Sequence, residues 1–243
     1  MIQKTGTESF NEVIKNECAY LQGKIAQTEY ALLNDPPTRL AENYLNNGWR
    51  RFGRMFFRPV CHGCNKCQPL RLNVNDFKPS KSMRKILNKN SDIRIESSRP
   101  TCSKENLILH NEYHAWRTET KGWPQQELSL IEYNMLFCED MDFAVENRYY
   151  RGNELIGVGY IDILANSISS VYFFYSPDWA PSSPGTYTIL KEIEKTAELE
   201  KKYYHLGYFV EDCPSMQYKT KFQPYQLLKG DKDNWQWSDA VWQ

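Results

Sequence analysis

The chain has no surplus of either charge. Thirty Lys and Arg balance thirty Asp and Glu across 243 residues, which excludes a protein that is basic throughout and coats a polyanion by bulk attraction. It has no apolar run approaching the length of a membrane span, and its first twenty residues lack the apolar core of a signal peptide. The expectation is a cytoplasmic protein with no membrane partner and reduced thiols. Internal repeats and low-complexity tracts are absent, which excludes solenoids and long disordered segments. The loop Ser182-Ser183-Pro184-Gly185 before a helical stretch lacks the full glycine fingerprint of a nucleotide site. This absence weighs against an N-acetyltransferase that cradles the pyrophosphate of coenzyme A.

What is present is a 41% hydrophobic, 14% aromatic composition, enough for a real core in one large domain or two closely packed small ones. The balanced charge is unevenly spread. From Gly48 to Lys104 there are 14 Lys/Arg against Asp76, Asp92 and Glu96. Such a segment is either the footprint of a polyanion-binding face or a solvated basic surface. It contains Arg54–Arg71, RMFFRPVCHGCNKCQPLR, where Cys61, Cys64 and Cys67 recur every third residue between arginines. Three of seven cysteines at that spacing suggest metal or redox chemistry before disulfides in a reducing compartment. Buried thiols that merely shape a loop are the alternative. Cys102, Cys138 and Cys213 read as core thiols, and His110, His114 and His205 as structural.

The local patterns predict a polar helical opening, a strand in QTEYALL, a helix in TRLAENYLNNG closed by Gly48, and a strand in WRRFGRMFFRPV. CQPLRLNVNDF alternates Leu70, Leu72 and Val74 with polar residues, the pattern of a half-buried strand. A basic helix capped by Ser80 or Ser82 follows, then the strand SDIRIES and helices from Ser103 and in LSLIEYNMLFC. From Asp142 the sequence reads as three strands joined by hairpin turns, a small-residue loop, the helix TYTILKEIEKTAELEKKY, the strand YYHLGYFVED and a short helix at SMQYKTKF. That order of elements is found in acetyltransferase-like folds. The expected class is α+β: an acetyltransferase-like mixed sheet with flanking helices over 101–243, and an N-terminal cysteine-containing α/β subdomain over 1–100 packed against it.

Seven separated motifs then agree in order: Cys18-x-Tyr20-Leu21, TEYALL, FFRPVCHGCNKCQPLR, FKPSKSMRK, SSVYFFYSPDW, GTYTILKEIE and YHLGYFVEDCPSMQYKTKFQPYQLL. Together they resemble the arginyl-tRNA–protein transferase family, and most nearly its leucine-transferring bacterial branch, from about Cys18 to Leu228. The resemblance implies transfer of leucine from leucyl-tRNA to the N-terminal amine of proteins beginning with Asp or Glu, which creates a degradation signal. An arginyl donor with the same acceptors is the sister reading. A non-catalytic RNA-binding or thiol redox module is the rival from another class.

An aminoacyl ester is already activated, so transfer requires no cofactor. Glu211, Asp212 and Tyr218 are the catalytic candidates, the carboxylates as proton acceptors and Tyr218 as a partner of the leaving 3′-oxygen. Arg58 and Arg71, then Arg84 and Lys219, are candidates for gripping the acceptor carboxylate. Tyr172 and Phe174 on an aromatic strand, with Ser183, Gly185 and Thr186 at a helix start, are candidates for binding the aminoacyl-tRNA. Arg117, in HAWRTETKGWP, resembles an arginine of the family. A fourth ligand beside Cys61, Cys64 and Cys67 would be Cys18, which the resemblance places near them, or His62. Relatives outside bacteria hold an iron–sulfur cluster or metal through counterparts of Cys18 and Cys67, which implies such a cluster or zinc here, although their Cys-x-x-Cys is here Cys18-Ala19-Tyr20-Leu21.

Overall fold

The structure, a computed structural model, describes residues 12–139, 141–230 and 234–240. Its strands form two sheets. The smaller is antiparallel, in the order β1-β2-β4-β3, from β1 (Glu12–Glu17), β2 (Ile25–Leu32), β3 (Arg50–Phe52) and β4 (Met55–Pro59). The predicted polar helix at the start is a strand where it is described: β1 pairs with β2 from Glu12↔Tyr30 to Glu17↔Ile25. A neighbouring strand edge satisfies backbone groups that a short polar helix would leave to water. Residues 1–11 of that prediction lie outside the described residues. Helix α1 (Thr38–Asn46) buries Ala41 and Leu45 against Trp49 and Phe56.

The larger sheet has eight strands in the order β12-β11-β5-β10-β9-β8-β7-β6. They are β5 (Gln68–Asn73), β6 (Ile93–Ser98), β7 (Ala144–Arg151), β8 (Glu154–Ile163), β9 (Ser167–Tyr175), β10 (Tyr203–Phe209), β11 (Gln226–Lys229) and β12 (Gln236–Asp239). The expected boundary at 100/101 does not separate the sheets, because β5 and β6 lie before it and join strands that lie after it. Nor is β5 half-buried. Paired on both edges, it buries the polar-face Arg71 as well as Leu70 and Leu72. Each fully buried leucine contributes about 1.5–3 kcal/mol.

Helices α2 (Lys81–Lys89), capped by Ser80, and α5 (Pro184–Glu198) cover one face of this sheet; α3 (Lys104–Lys121) and α4 (Leu130–Tyr133), continued by a π-turn to Cys138, cover the other. Ile189, Leu190 and Ile193 of α5 pack on Leu72, Ile161 and Tyr204. Trp179, 0% exposed, donates Nε1–H to Asn90 Oδ1 at 2.7 Å and lies over Gly157, where a Cβ would come within 2.7 Å of its ring. Only glycine lets the ring lie that close to β8.

Candidate active site

Among the described residues β9 and β10 are the one parallel pair, and they pair over only three residues, Tyr203↔Ser167 to His205↔Ser169. A bulge between His205 and Gly207, with Gly207 at φ +80°, turns β10 aside while β9 runs on to Tyr175. That left-handed backbone is costly for any residue with a side chain. The strands splay and leave a cleft of about 530 Å³, with the start of α5 at Gly185 on one wall and the turn Pro214–Lys221 on another. A splay at the carboxyl ends of parallel strands beside a helix start is where α/β sheets bind ligands.

Of the four cations that line the cleft, Arg51 is paired with Asp162, and the other three have no ion pair among the described residues. The first comes from β3, where strand alternation sends neighbouring arginines opposite ways. Arg51 bonds Asp162 (Nε–Oδ2 2.9 Å) and stacks on Phe143. Arg50 enters the cleft instead, donating from Nη1 to Ser169 Oγ at 2.9 Å and from Nη2 to the Ser170 carbonyl. Burial lowers its pKa from the ordinary guanidinium value. The second is Lys219, whose Nζ donates to the carbonyls of Leu206 (2.9 Å) and Tyr208 (2.6 Å). Burial, reinforced by the neighbouring Arg50 cation, pushes its pKa down to about 7. The third, Arg117 of α3, lies over Trp123 at 4.7 Å and Trp116 at 5.4 Å, and its buried Nε has no hydrogen-bond partner. No Asp or Glu lines the cleft.

The structure brings several sequence candidates here. Tyr172 lines the cleft, its hydroxyl 2.7 Å from His114 Nε2. His114 stacks on His110, and burial drives its pKa down to about 4, so it is neutral at physiological pH. Tyr218 is 41% exposed and lines the cleft, and desolvation raises its pKa to about 12. Its hydroxyl has no hydrogen-bond partner among the described residues. Gly185 faces open cleft space.

Other candidates sit elsewhere. Phe174 is fully buried in a core cluster with Tyr133 and Phe137, and its strand neighbours Phe173 and Tyr175 reach the cleft in its place. Ser183 is an exposed left-handed residue before α5, and Thr186 donates its N–H to the Ser183 carbonyl; neither lines the cleft. Glu211 and Asp212 are exposed outside it, with Asp212 paired to Lys66 at 3.1 Å. Arg58 is buried, bonded to Glu29 (2.7 Å) and stacked on Trp49. Arg71 is sandwiched between Tyr203 (3.7 Å) and Trp237 (4.1 Å) and donates to Gln226. Arg84 is exposed on α2 and bonds the Pro79 carbonyl. The guanidinium groups of Arg58 and Arg71 are thus committed inside the protein. Cys102, expected in the core, is exposed.

Residues 16–85 match the model for the N terminus of arginine-tRNA-protein transferase, and residues 105–229 match that for its C terminus. The chain belongs to that family. Curated relatives named aspartate/glutamate leucyltransferase include one from Campylobacter jejuni subsp. jejuni serotype O:2, 36% identical over 95% of this chain and 96% of its own length. Others are from Helicobacter hepaticus, 35% identical over 90% and 91%, and Pseudomonas savastanoi pv. phaseolicola, 31% over 88% and 91%. The crystal structure of FemX is similar with a TM-score of 0.49 at 8% identity, over 87% of this chain and 84% of that one.

For this transferase the cysteines can be tested as a donor set. Cys18, Cys61 and Cys64 lie close enough to raise the Cys67 thiol, which burial first and these neighbours second push up to about 12. Cys61 Sγ accepts the Gln27 N–H at 3.2 Å, and Cys64 is exposed. Among the described residues no three His, Cys, Asp or Glu side chains converge as ligands. These thiols do not fit a cluster or zinc in this arrangement, and no step below runs through them. Sequence reasoning passed over Arg50, although Arg50-Arg51 in a three-residue strand leaves one arginine to find a partner on each side.

Proposed function

We propose that this transferase moves leucine from leucyl-tRNA to the N-terminal amine of proteins that begin with Asp or Glu. The observation that carries the reading is the pair Arg50 and Lys219: a half-buried guanidinium and a buried ammonium, neighbours in an open cleft without a carboxylate partner. A buried cation left unpaired costs several kcal/mol, which an incoming anion offsets. The acceptor's side-chain carboxylate supplies that anion, gripped by the planar guanidinium and the ammonium together.

The donor enters the same cleft. Arg117 with Trp116 and Trp123 offers a cation and aromatic faces to the terminal phosphate and base. Gly185 at the start of α5 lets backbone approach the same end. The aminoacyl side chain meets Ile189, Leu206 and Met216. An arginyl donor would set a guanidinium among three unpaired cations with no carboxylate in the lining, so the lining favours leucine. The amine nitrogen attacks the ester carbonyl, the new C–N bond forms, the C–O bond to the 3′-oxygen breaks, and Tyr218 hydrogen-bonds that leaving oxygen.

Incubating the protein with labelled leucyl-tRNA or arginyl-tRNA and peptides beginning with Asp, Glu, Lys or Ala tests this. Label should pass from leucyl-tRNA to the Asp and Glu peptides alone. Failure of transfer to both acidic peptides would refute it.

A further inference from the structure

The transfer leaves one proton over. The acceptor amine arrives as an ammonium and must lose a proton to attack; after attack the nitrogen loses a second, which the 3′-oxygen takes up. The first must leave a cleft whose walls contain no carboxylate.

A buried carboxyl stands one residue behind that wall. Tyr204 of β10 stands in the cleft wall with no exposed surface, next to Ser170, which lines the cleft, and its hydroxyl donates to Glu192 Oε2 of α5 at 2.6 Å. Glu192 is itself buried, and on its far side it borders a separate groove of about 240 Å³ with Ser97, Asn147 and Lys195. The two cavities share no lining residue, and the Tyr204–Glu192 pair connects them. We infer that Glu192, acting through the Tyr204 hydroxyl, relays the acceptor's proton from the cleft to the outer groove.

The step balances. A proton from the ammonium reaches the Tyr204 oxygen as the phenolic proton passes to the Glu192 carboxylate. Glu192 then releases it into the groove, and the phenol is restored. Burial sets Glu192 to exchange, pushing its carboxyl up to about 7, where both forms are populated at neutral pH. The groups facing it are Tyr204 on β10, Ser170 on β9, Tyr149 on β7, Tyr218 on the Pro214–Lys221 turn and Lys195 on α5. Of these, Lys195 alone is cationic, and it is engaged with Ser97 at 2.8 Å. Glu192 is therefore a positioning residue that acts through Tyr204.

The inference rests on the transferase reading, and Glu192→Gln and Tyr204→Phe test it separately. At saturating leucyl-tRNA and Glu-peptide, wild-type kcat should rise with pH through about 7. Each variant should lose on the order of 100-fold in kcat, with KM for both substrates within about twofold, and should lose that low-pH limb. The double variant should be no worse than either single one. An E192Q enzyme with full kcat and an intact limb, or one that loses KM instead, overturns the relay alone. A wild type silent with every acceptor sinks the transferase reading and the relay with it. If a variant unfolds, infrared difference spectra of the wild type decide: a buried carboxyl stretch must shift when 3′-leucylamido-adenosine fills the cleft, and its absence overturns the relay.

Discussion

Arg50 donates to Ser169 Oγ at 2.9 Å across 119 residues of chain, and no carboxylate of the described residues comes within ion-pair distance of it. The serine orients the guanidinium without neutralising it. That contact ties the small sheet to the splayed strand of the large one and leaves an anion site between them.

Replacing Arg50 with Lys keeps the charge and removes the planar fork. The KM for a Glu-initiated peptide should rise about tenfold, since a charge-assisted bond contributes about 1.5–3 kcal/mol. Binding of leucyl-tRNA should change little. Steady-state kinetics with acidic peptides, beside filter binding of the tRNA, checks both.

Lys219 gives acceptor binding a pH dependence. Its folded pKa of about 7 lies below the ordinary lysine value, so the cation that meets the acceptor carboxylate is lost as pH rises through about 7. The KM for acidic peptides should therefore rise above that pH, and Lys219→Arg should push the rise to higher pH. For folding the sign runs the same way for acid: the unfolded chain holds the lysine proton more tightly, so this group's contribution to stability falls as pH drops through its unfolded value toward about 7. A pH series of peptide KM, with thermal melts alongside, reads the two effects apart.

Arg58→Ala strands the buried Glu29 carboxylate and should cost about 3–5 kcal/mol of stability. Arg71→Ala opens the sandwich between Tyr203 and Trp237 and should cost about 1–3 kcal/mol. Both should leave the KM for acidic peptides of the surviving enzyme unchanged. Denaturant unfolding and kinetics on the same samples check this.

Gly157→Ala drives a methyl group into the Trp179 ring and should cost about 1–3 kcal/mol through overpacking. Thermal melts measure it, with Gly185→Ala as a control that meets no atom within 4 Å.

Among the thiols, the exposed Cys64 should alkylate well before Cys67, which burial holds protonated. Mass spectrometry of a timed iodoacetamide reaction reads the order.

Periodicity located most strands and helices, because Leu70, Leu72 and the α5 pattern Ile189-Leu190-Ile193 report directly which side faces a core. It failed where tertiary pairing outweighs local preference. Glu12–Glu17 becomes a strand only because β2 lies beside it, and Arg71 is buried only because β10 and β11 flank β5. Motif reading found the region around Tyr172, Gly185, Tyr218 and Lys219, which the cleft unites. It placed the acceptor grip at Arg58 and Arg71 because arginine reads as a free cation in a sequence. Whether Glu29, Trp49 or Trp237 has already engaged that cation is decided by contacts far apart in the chain.

Strand β5 is made well before both of its neighbours in the sheet, β10 and β11. On the ribosome it must wait with both edges open while more than half of the chain is produced. Long-range pairing of this kind folds slowly and exposes apolar strand edges meanwhile. The large sheet therefore closes around β5 only once β10 and β11 have been made, and a chain cut short before Tyr203 would lack the strands that cover Leu70 and Leu72, making it a substrate for chaperones and proteases rather than a partial enzyme.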